Sequence, residues 1–230
     1  MDHNPGIIES TAVVIPAYNA ARHLEEVVAA VSKHVPPSRV IVVDDGSSDA
    51  TAETARRTGA VLIEHGVNRG KGAALRTGIL AAAERGWRFA VTLDADGQHN
   101  PAEIPAFVAR RAETGADIVV GNRMASTHNM PFIRLATNRV TSWVVSRLAH
   151  QPIPDSQNGY RLIDTEVFAR LPLVTTRYDT ESEILIRAGK AGATIASVPV
   201  ETIYGEEDSS IHPFVDTARF FRMVVRALFW

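Results

Sequence analysis

Short apolar runs alternate with segments of helical periodicity through the first 123 residues. Residues 10–15, 60–64, 88–93 and 118–120 read as strands. Residues 39–43 (Arg-Val-Ile-Val-Val) are apolar without alternation, the pattern of a parallel strand covered on both faces. Pro16-Ala17-Tyr18-Asn19 is expected to break the first strand. Leu24, Val27, Val28 and Val31 then recur at i, i+3, i+4 and i+7, predicting an amphipathic helix stopped at Val35-Pro36-Pro37. A further helix carries Leu75, Ile79 and Leu80, and another is expected over about 101–113. Strand–helix alternation of this kind predicts an α/β domain with a central, mostly parallel sheet flanked by helices.

After residue 123 the texture changes. A helix over about 131–149 carries Arg134, Arg139 and Arg147. Residues 155–161 (Asp-Ser-Gln-Asn-Gly-Tyr-Arg) read as a polar turn flanked by apolar residues. A helix bearing Glu181 and Glu183 runs to Ala188, a strand is expected over 193–200, and an acidic loop occupies 205–210. A last helix begins near Pro213. Neither repeat nor linker divides the chain. One domain over 1–230 is expected, its halves covering about 11–123 and about 124–230.

The polar clusters fall at the carboxyl ends of the predicted strands: Tyr18-Asn19, Asp44-Asp45, Asp94-Ala95-Asp96 and Arg123. In an open α/β sheet that edge is where ligands bind. Asp94 and Asp96, followed by Gln98 and His99, offer two carboxylates and a neutral amide oxygen, a donor set suited to Mg²⁺ or Mn²⁺. Mg²⁺ takes one or two protein carboxylates and completes its shell with phosphate oxygens, so a metal–diphosphate site is expected. Lys71 opens a helix between two glycines, facing either phosphate or solvent.

Composition narrows the classes. The 230 residues are 45% hydrophobic and 22% charged, with a net charge of −2, so no basic field points to nucleic acid. The absence of Cys excludes disulfides, thiolate zinc sites and a Cys nucleophile. No secretory signal is visible in residues 1–10, and no apolar run reaches the roughly 18–20 residues of a membrane span. A cytoplasmic protein is expected. The first strand is not followed by G-x-G-x-x-G, the Lys71 segment is not G-x-x-x-x-G-K-[ST], and the Gly-rich loop of a sugar-nucleotide pyrophosphorylase is missing.

Five further stretches, taken in order with the Asp94 turn, carry a family resemblance: Ile15-Pro16-Ala17-Tyr18-Asn19, residues 43–49, Asn68-Arg69-Gly70-Lys71-Gly72, residues 155–161 and residues 203–211. Together they resemble the family 2 glycosyltransferases of GT-A fold, most closely the polyprenyl-phosphate sugar transferases of the dolichyl-phosphate mannosyltransferase-like branch. The resemblance implies an inverting, metal-dependent transfer of a sugar from a UDP- or GDP-sugar to a polyprenyl phosphate. The alternatives are a glycan hydroxyl as acceptor, or a degenerate protein that binds a nucleotide sugar without turnover. It implies a nucleotide-sugar- and metal-binding half over about 11–123 and an acceptor-side half over about 124–230, with nucleoside contacts from Pro16, Tyr18, Val43 and Asp45, substrate contact from Asn19, and metal ligation by Asp94, Asp96 and Gln98. Ala95 would lie against the substrate, and Arg123, Arg134 and Lys71 would offer charge to the phosphates. A polyprenyl phosphate is already anionic and needs no base; for a hydroxyl acceptor, Asp155 is the candidate base, its alternative being a turn cap. His99 is either a base, a group behind the ligands or a loop hydrogen-bonder.

The chain departs from the mannosyltransferase pattern at Ala20, at Thr202 and in the acidic run Glu206-Glu207-Asp208-Ser209-Ser210. These departures tell against GDP-mannose and leave UDP-sugars open. The last helix sets Phe220, Phe221, Val224, Val225, Leu228, Phe229 and Trp230 beside Arg219, Arg222 and Arg226, which is what peripheral contact with a bilayer needs.

Overall fold

A computed structural model describes residues 5–125, 132–201, 203 and 213–230. After a short helix α1 (Pro5–Glu9), the chain runs β1 (Thr11–Ala17), α2 (Ala21–Val31), β2 (Val40–Asp44), α3 (Thr51–Arg57), β3 (Val61–Glu64), α4 (Lys71–Glu84) and β4 (Phe89–Thr92). It continues through α5 (Ile104–Thr114), β5 (Ile118–Asn122), α6 (Phe132–Ala149), β6 (Arg161–Asp164), α7 (Thr165–Ala169), α8 (Asp179–Lys190), β7 (Ile195–Pro199) and α9 (Pro213–Ala227). The strands form one sheet in the order β3-β2-β1-β4-β6-β5-β7. Only β6 runs against its neighbours, pairing antiparallel with both β4 and β5.

The period of two along each strand divides the core. Val14, Ile41, Val43, Ala90, Ile118, Val120 and Ile163 face one layer, which α4, α6 and α8 cover. Val13, Ile15, Val40, Val42, Val91, Val119 and Leu162 face the other, covered by α2 and α5. Gly78 lets α4 lie directly on the sheet: a methyl there would collide with Val14 Cγ1.

Two local readings change. First, β1 continues through Pro16 to Ala17 rather than ending before the proline. Val14 C=O accepts from Leu93 N–H on the β4 side, whereas Ala17 C=O accepts from Asp45 N–H on the β2 side. By alternation Pro16 turns its nitrogen toward β4, whose pairing with β1 has ended at Val14, so no ladder bond is lost. Second, the polar turn at 155–161 leads straight into a strand, β6, and a short helix, α7. β6 is only four residues long and begins and ends with a charge, so no apolar run marks it. The charges are satisfied internally. Arg161, fully buried, donates to the carbonyls of Asn158, Glu181 and Ser156 at 2.8, 2.6 and 2.9 Å. Asp164 binds Arg88 and accepts from Glu166 N–H and Val167 N–H, capping α7. Thr202 and the acidic run 206–210 lie outside the described residues.

Candidate active site

β4 delivers the central turn. Leu93 is the last residue held by the sheet, and Gly97, at φ +76°, reverses the chain after Asp96. Within the turn Asp96 Oδ1 accepts from Gln98 N–H at 2.9 Å, and Asp94 N–H donates to His99 Nδ1 at 3.1 Å. That bond makes Nδ1 an acceptor, so the ring is neutral there. Burial, reinforced by the Lys71 ammonium, holds the His99 pKa below its ordinary value. Tyr160 stacks on His99 with ring centroids 5.1 Å apart. His99 thus orients the turn instead of lying free as a base.

The Asp94 carboxylate does not stand alone. Lys71 Nζ lies 2.7 Å from Asp94 Oδ1 and 2.8 Å from Glu181 Oε1. Burial alone would raise the Asp94 pKa; the charge and hydrogen bond of Lys71, together with nearby Arg123, outweigh it and hold it below the usual carboxylate range. Asp96 shifts the other way, raised by burial and by the neighbouring Asp94 charge. Two crowded carboxylates, one of them short of positive charge, fit a divalent cation, which would relieve that repulsion. Among the described residues no group of three His, Cys, Asp or Glu side chains forms a cation site, so the fit depends on the Asp94–Asp96 pair with the Gln98 amide.

A second charged pair stands beside the turn. Arg123 follows β5 and meets Asp155 in a two-pronged bond, Nε to Oδ2 at 2.8 Å and Nη2 to Oδ1 at 2.9 Å. Arg123 N–H and Asn138 Nδ2 also donate to Asp155, at 3.1 and 2.9 Å. Asp155 is fully buried. Burial opposes its ionisation, but its bonds to Arg123 prevail and hold its pKa below the carboxylate range. The residue expected as base or turn cap thus has both carboxylate oxygens engaged, by Arg123 and Asn138.

Asp45 is likewise a clamp. Its carboxylate accepts from Arg69 N–H at 3.0 Å and Gly70 N–H at 2.7 Å, and Oδ1 lies 2.7 Å from His65 Nδ1. His65 Nε2 lies 2.9 Å from Thr77 Oγ1. The end of β2 therefore fixes the loop that carries Lys71. Tyr18 is 52% exposed. Asn19, in the left-handed region at φ +50°, ties this loop to the next: its N–H donates to Ser47 Oγ, and its Oδ1 accepts from Ser48 N–H. Pro16, Val43 and Ala95 are buried, and Val43 packs under Gly78 of α4. Their side chains serve the core, leaving only main chain to face a ligand. Arg134 is exposed in the first turn of α6, and no hydrogen bond or ion pair joins it to this group among the described residues.

Glu181 carries no role in the sequence reading, although its signal is present. With Ile184, Leu185 and Ala188 it makes the i, i+3, i+4, i+7 stripe of α8, all buried. A carboxylate on that stripe requires a cation, and Lys71 is that cation.

Comparison with known proteins agrees with this architecture. Residues 12–171 match the Glycosyl transferase family 2 profile. The UDP-N-acetylglucosamine–dolichyl-phosphate N-acetylglucosaminyltransferase of Methanococcus voltae is 33% identical over 216 residues, spanning 84% of this chain and 86% of that one. The polyprenol monophosphomannose synthase of Mycolicibacterium smegmatis is 29% identical over 84% of this chain and 77% of its own. Among solved structures, glucosyl-3-phosphoglycerate synthase from Mycobacterium tuberculosis, in complex with Mn²⁺ and UDP-glucose, superposes with a TM-score of 0.73. It is 21% identical, over 97% of this chain and 81% of that chain, and shares the GT-A fold. The chain belongs to glycosyl transferase family 2 and is a glycosyltransferase.

Proposed function

We propose that the protein transfers a sugar, with inversion, from a nucleoside-diphosphate sugar to a polyprenyl phosphate. The observation that carries the acceptor class is the commitment of the carboxylates. Asp155 is locked onto Arg123 and Glu181 onto Lys71, so neither stands ready to deprotonate a hydroxyl. A phosphate acceptor arrives already ionised and needs no such group. The relatives named for dolichyl-phosphate and polyprenol transfer support the same class.

In this reading Asp94, Asp96 and Gln98 hold a Mg²⁺ or Mn²⁺ ion. When bound, it offsets charge on the leaving diphosphate, an effect worth several kcal/mol in comparable sites. Arg123, fixed in orientation by Asp155, presents a permanent positive charge beside that turn. The exposed Tyr18 and the tied loops around Asn19 and Asp45 frame the nucleoside. The UDP-N-acetylglucosamine relative favours a UDP-sugar as donor.

No helix among the described residues is long and apolar enough to cross a membrane. Contact with the acceptor's bilayer falls to α9 and the residues after it. Met223 and Ala227 are buried, and Phe220, Val224 and Trp230 pack against the core. Phe221, Val225, Leu228 and Phe229 remain exposed, beside the exposed Arg222 and Arg226. An apolar face flanked by cations suits an anionic lipid surface.

The test is transfer of radiolabelled sugar from UDP- and GDP-sugars to a polyprenyl phosphate in detergent, followed by chromatography of the lipid product. Labelled, acid-labile lipid from one donor is the expected result. Transfer to glycan hydroxyls with none to the lipid phosphate overturns the acceptor.

A further inference from the structure

Lys71 puts a cation at the start of α4, the helix end at which the backbone dipole opposes one. Packing forces it there. Gly70 sits at φ +101°, and a side chain on it would strike the Thr176 carbonyl; one on Gly72 would strike Thr180 Oγ1. Ala73 N–H donates to Thr176 C=O at 3.1 Å, closing the joint. The first turn of α4 is thus pressed onto the start of α8, and the ammonium emerges between Asp94 and Glu181. Gly159 makes the third wall: a Cβ there would lie 2.8 Å from Glu181 Oε1, 3.2 Å from Lys71 Nζ and 3.5 Å from Asp94 Oδ1. The glycines of this motif are there for packing, and what they build is a shared charge. Three carboxylates, Asp94, Asp96 and Glu181, thus gather around the one ammonium of Lys71, with the Arg123 and Arg161 charges nearby.

We propose that Lys71 is the built-in counter-cation of the metal site, and that Glu181 is the positioning residue that receives it when a metal takes Asp94. The inference rests on Asp94 and Asp96 being the metal ligands. Without metal, Lys71 bridges Asp94 and Glu181. With metal, the ammonium gives up Asp94 and stays on Glu181, without leaving its pocket. A metal ion arriving alone competes with Lys71 for Asp94. One arriving with a diphosphate brings ligands of its own, so the device couples metal retention to donor binding.

Mn²⁺ binding to the full chain, read from the loss of the free-ion electron paramagnetic resonance signal without nucleotide, tests this. Lys71→Met is expected to tighten Mn²⁺ binding about tenfold, because the competing cation is gone. Glu181→Gln is expected to weaken it several-fold, because Lys71 then has only Asp94. The double variant Lys71→Met/Glu181→Gln leaves no unpaired buried carboxylate at position 181 and is expected to bind at least as tightly as the unaltered chain. Melting curves establish that each variant is folded. Mn²⁺ binding that depends on Asp96 but is unchanged or weakened in both Lys71→Met and the double variant overturns the counter-cation role alone. Mn²⁺ binding indifferent to Asp96→Ala overturns the metal assignment and this proposal with it.

Discussion

The two cations beside the Asp94–Asp96 turn are held in opposite ways. Arg123 grips Asp155 through two parallel bonds, and Asp155 has further donors in Asn138 and the Arg123 main chain. Lys71 is divided between two carboxylates on different elements, one after β4 and one on α8. A planar guanidinium gripped at two points keeps its direction, whereas an ammonium on a flexible stem can move from one carboxylate to the other. One site therefore contains a fixed charge and a transferable one. The fixed charge suits stabilisation of a leaving group, which gains most from dipoles and charges already in place. The transferable charge suits a position that a metal must enter and leave.

Several substitutions would break or sharpen that contrast. The largest effect is expected at Asp96, the carboxylate short of positive charge. Asp96→Ala should lower turnover about a thousandfold with an unchanged melting temperature, since removal of a group that stabilises transition-state charge costs on that order. Turnover within tenfold of the unaltered chain would remove Asp96 from the site. Next is the fixed pair: Asp155→Asn should cost about 3 kcal/mol of stability, because a cation loses its partner in a largely buried pair. The pH dependence gives the sign. The Asp155 pKa is held low in the folded chain, so its contribution is complete above the unfolded carboxylate value, about 3.9, and is lost as pH falls through the folded value. Urea melts of the two proteins should therefore differ most near neutrality and converge below about pH 4. A constant difference down to pH 2 would contradict the assignment.

Smaller effects are expected at the joint and on the surface. Gly72→Ala would drive a methyl into Thr180 Oγ1, an overpacking cost of about 2 kcal/mol. The same change should loosen Lys71 from Glu181 and leave the Arg123 clamp untouched. A melting temperature equal to that of the unaltered chain would show that the joint yields freely. Arg226→Ala on α9 should weaken binding to vesicles containing phosphatidylserine by about 1 kcal/mol, roughly fivefold. Equal binding would remove α9 from the membrane contact.

The first half of the chain was the more legible in sequence, for a physical reason. Its strands β1 to β4 are parallel and apolar, and each ends in a polar loop, so strand and site announce each other, as at Val42-Val43-Asp44-Asp45. The side chains at those loops were less legible than their positions. Asp45 and Lys71 have the types of ligand groups, yet their carboxylate and ammonium are used up on Gly70, His65, Asp94 and Glu181, partners distant in the chain. β6 was hidden because its ends are Arg161 and Asp164, buried charges that only the folded chain satisfies. Glu181 was hidden for the opposite reason: a helical acid reads as solvent-facing until the stripe it shares with Ile184, Leu185 and Ala188 is traced to the core.

The most direct test of the account is the melting temperature of the full chain with UDP or GDP, in the presence of Mn²⁺ or of EDTA. A ligand that binds only the folded state raises stability by mass action. The expected result is a rise with one nucleotide and Mn²⁺ that EDTA abolishes. No rise with either nucleotide, or one that EDTA leaves intact, would contradict the metal–diphosphate site at Asp94 and Asp96.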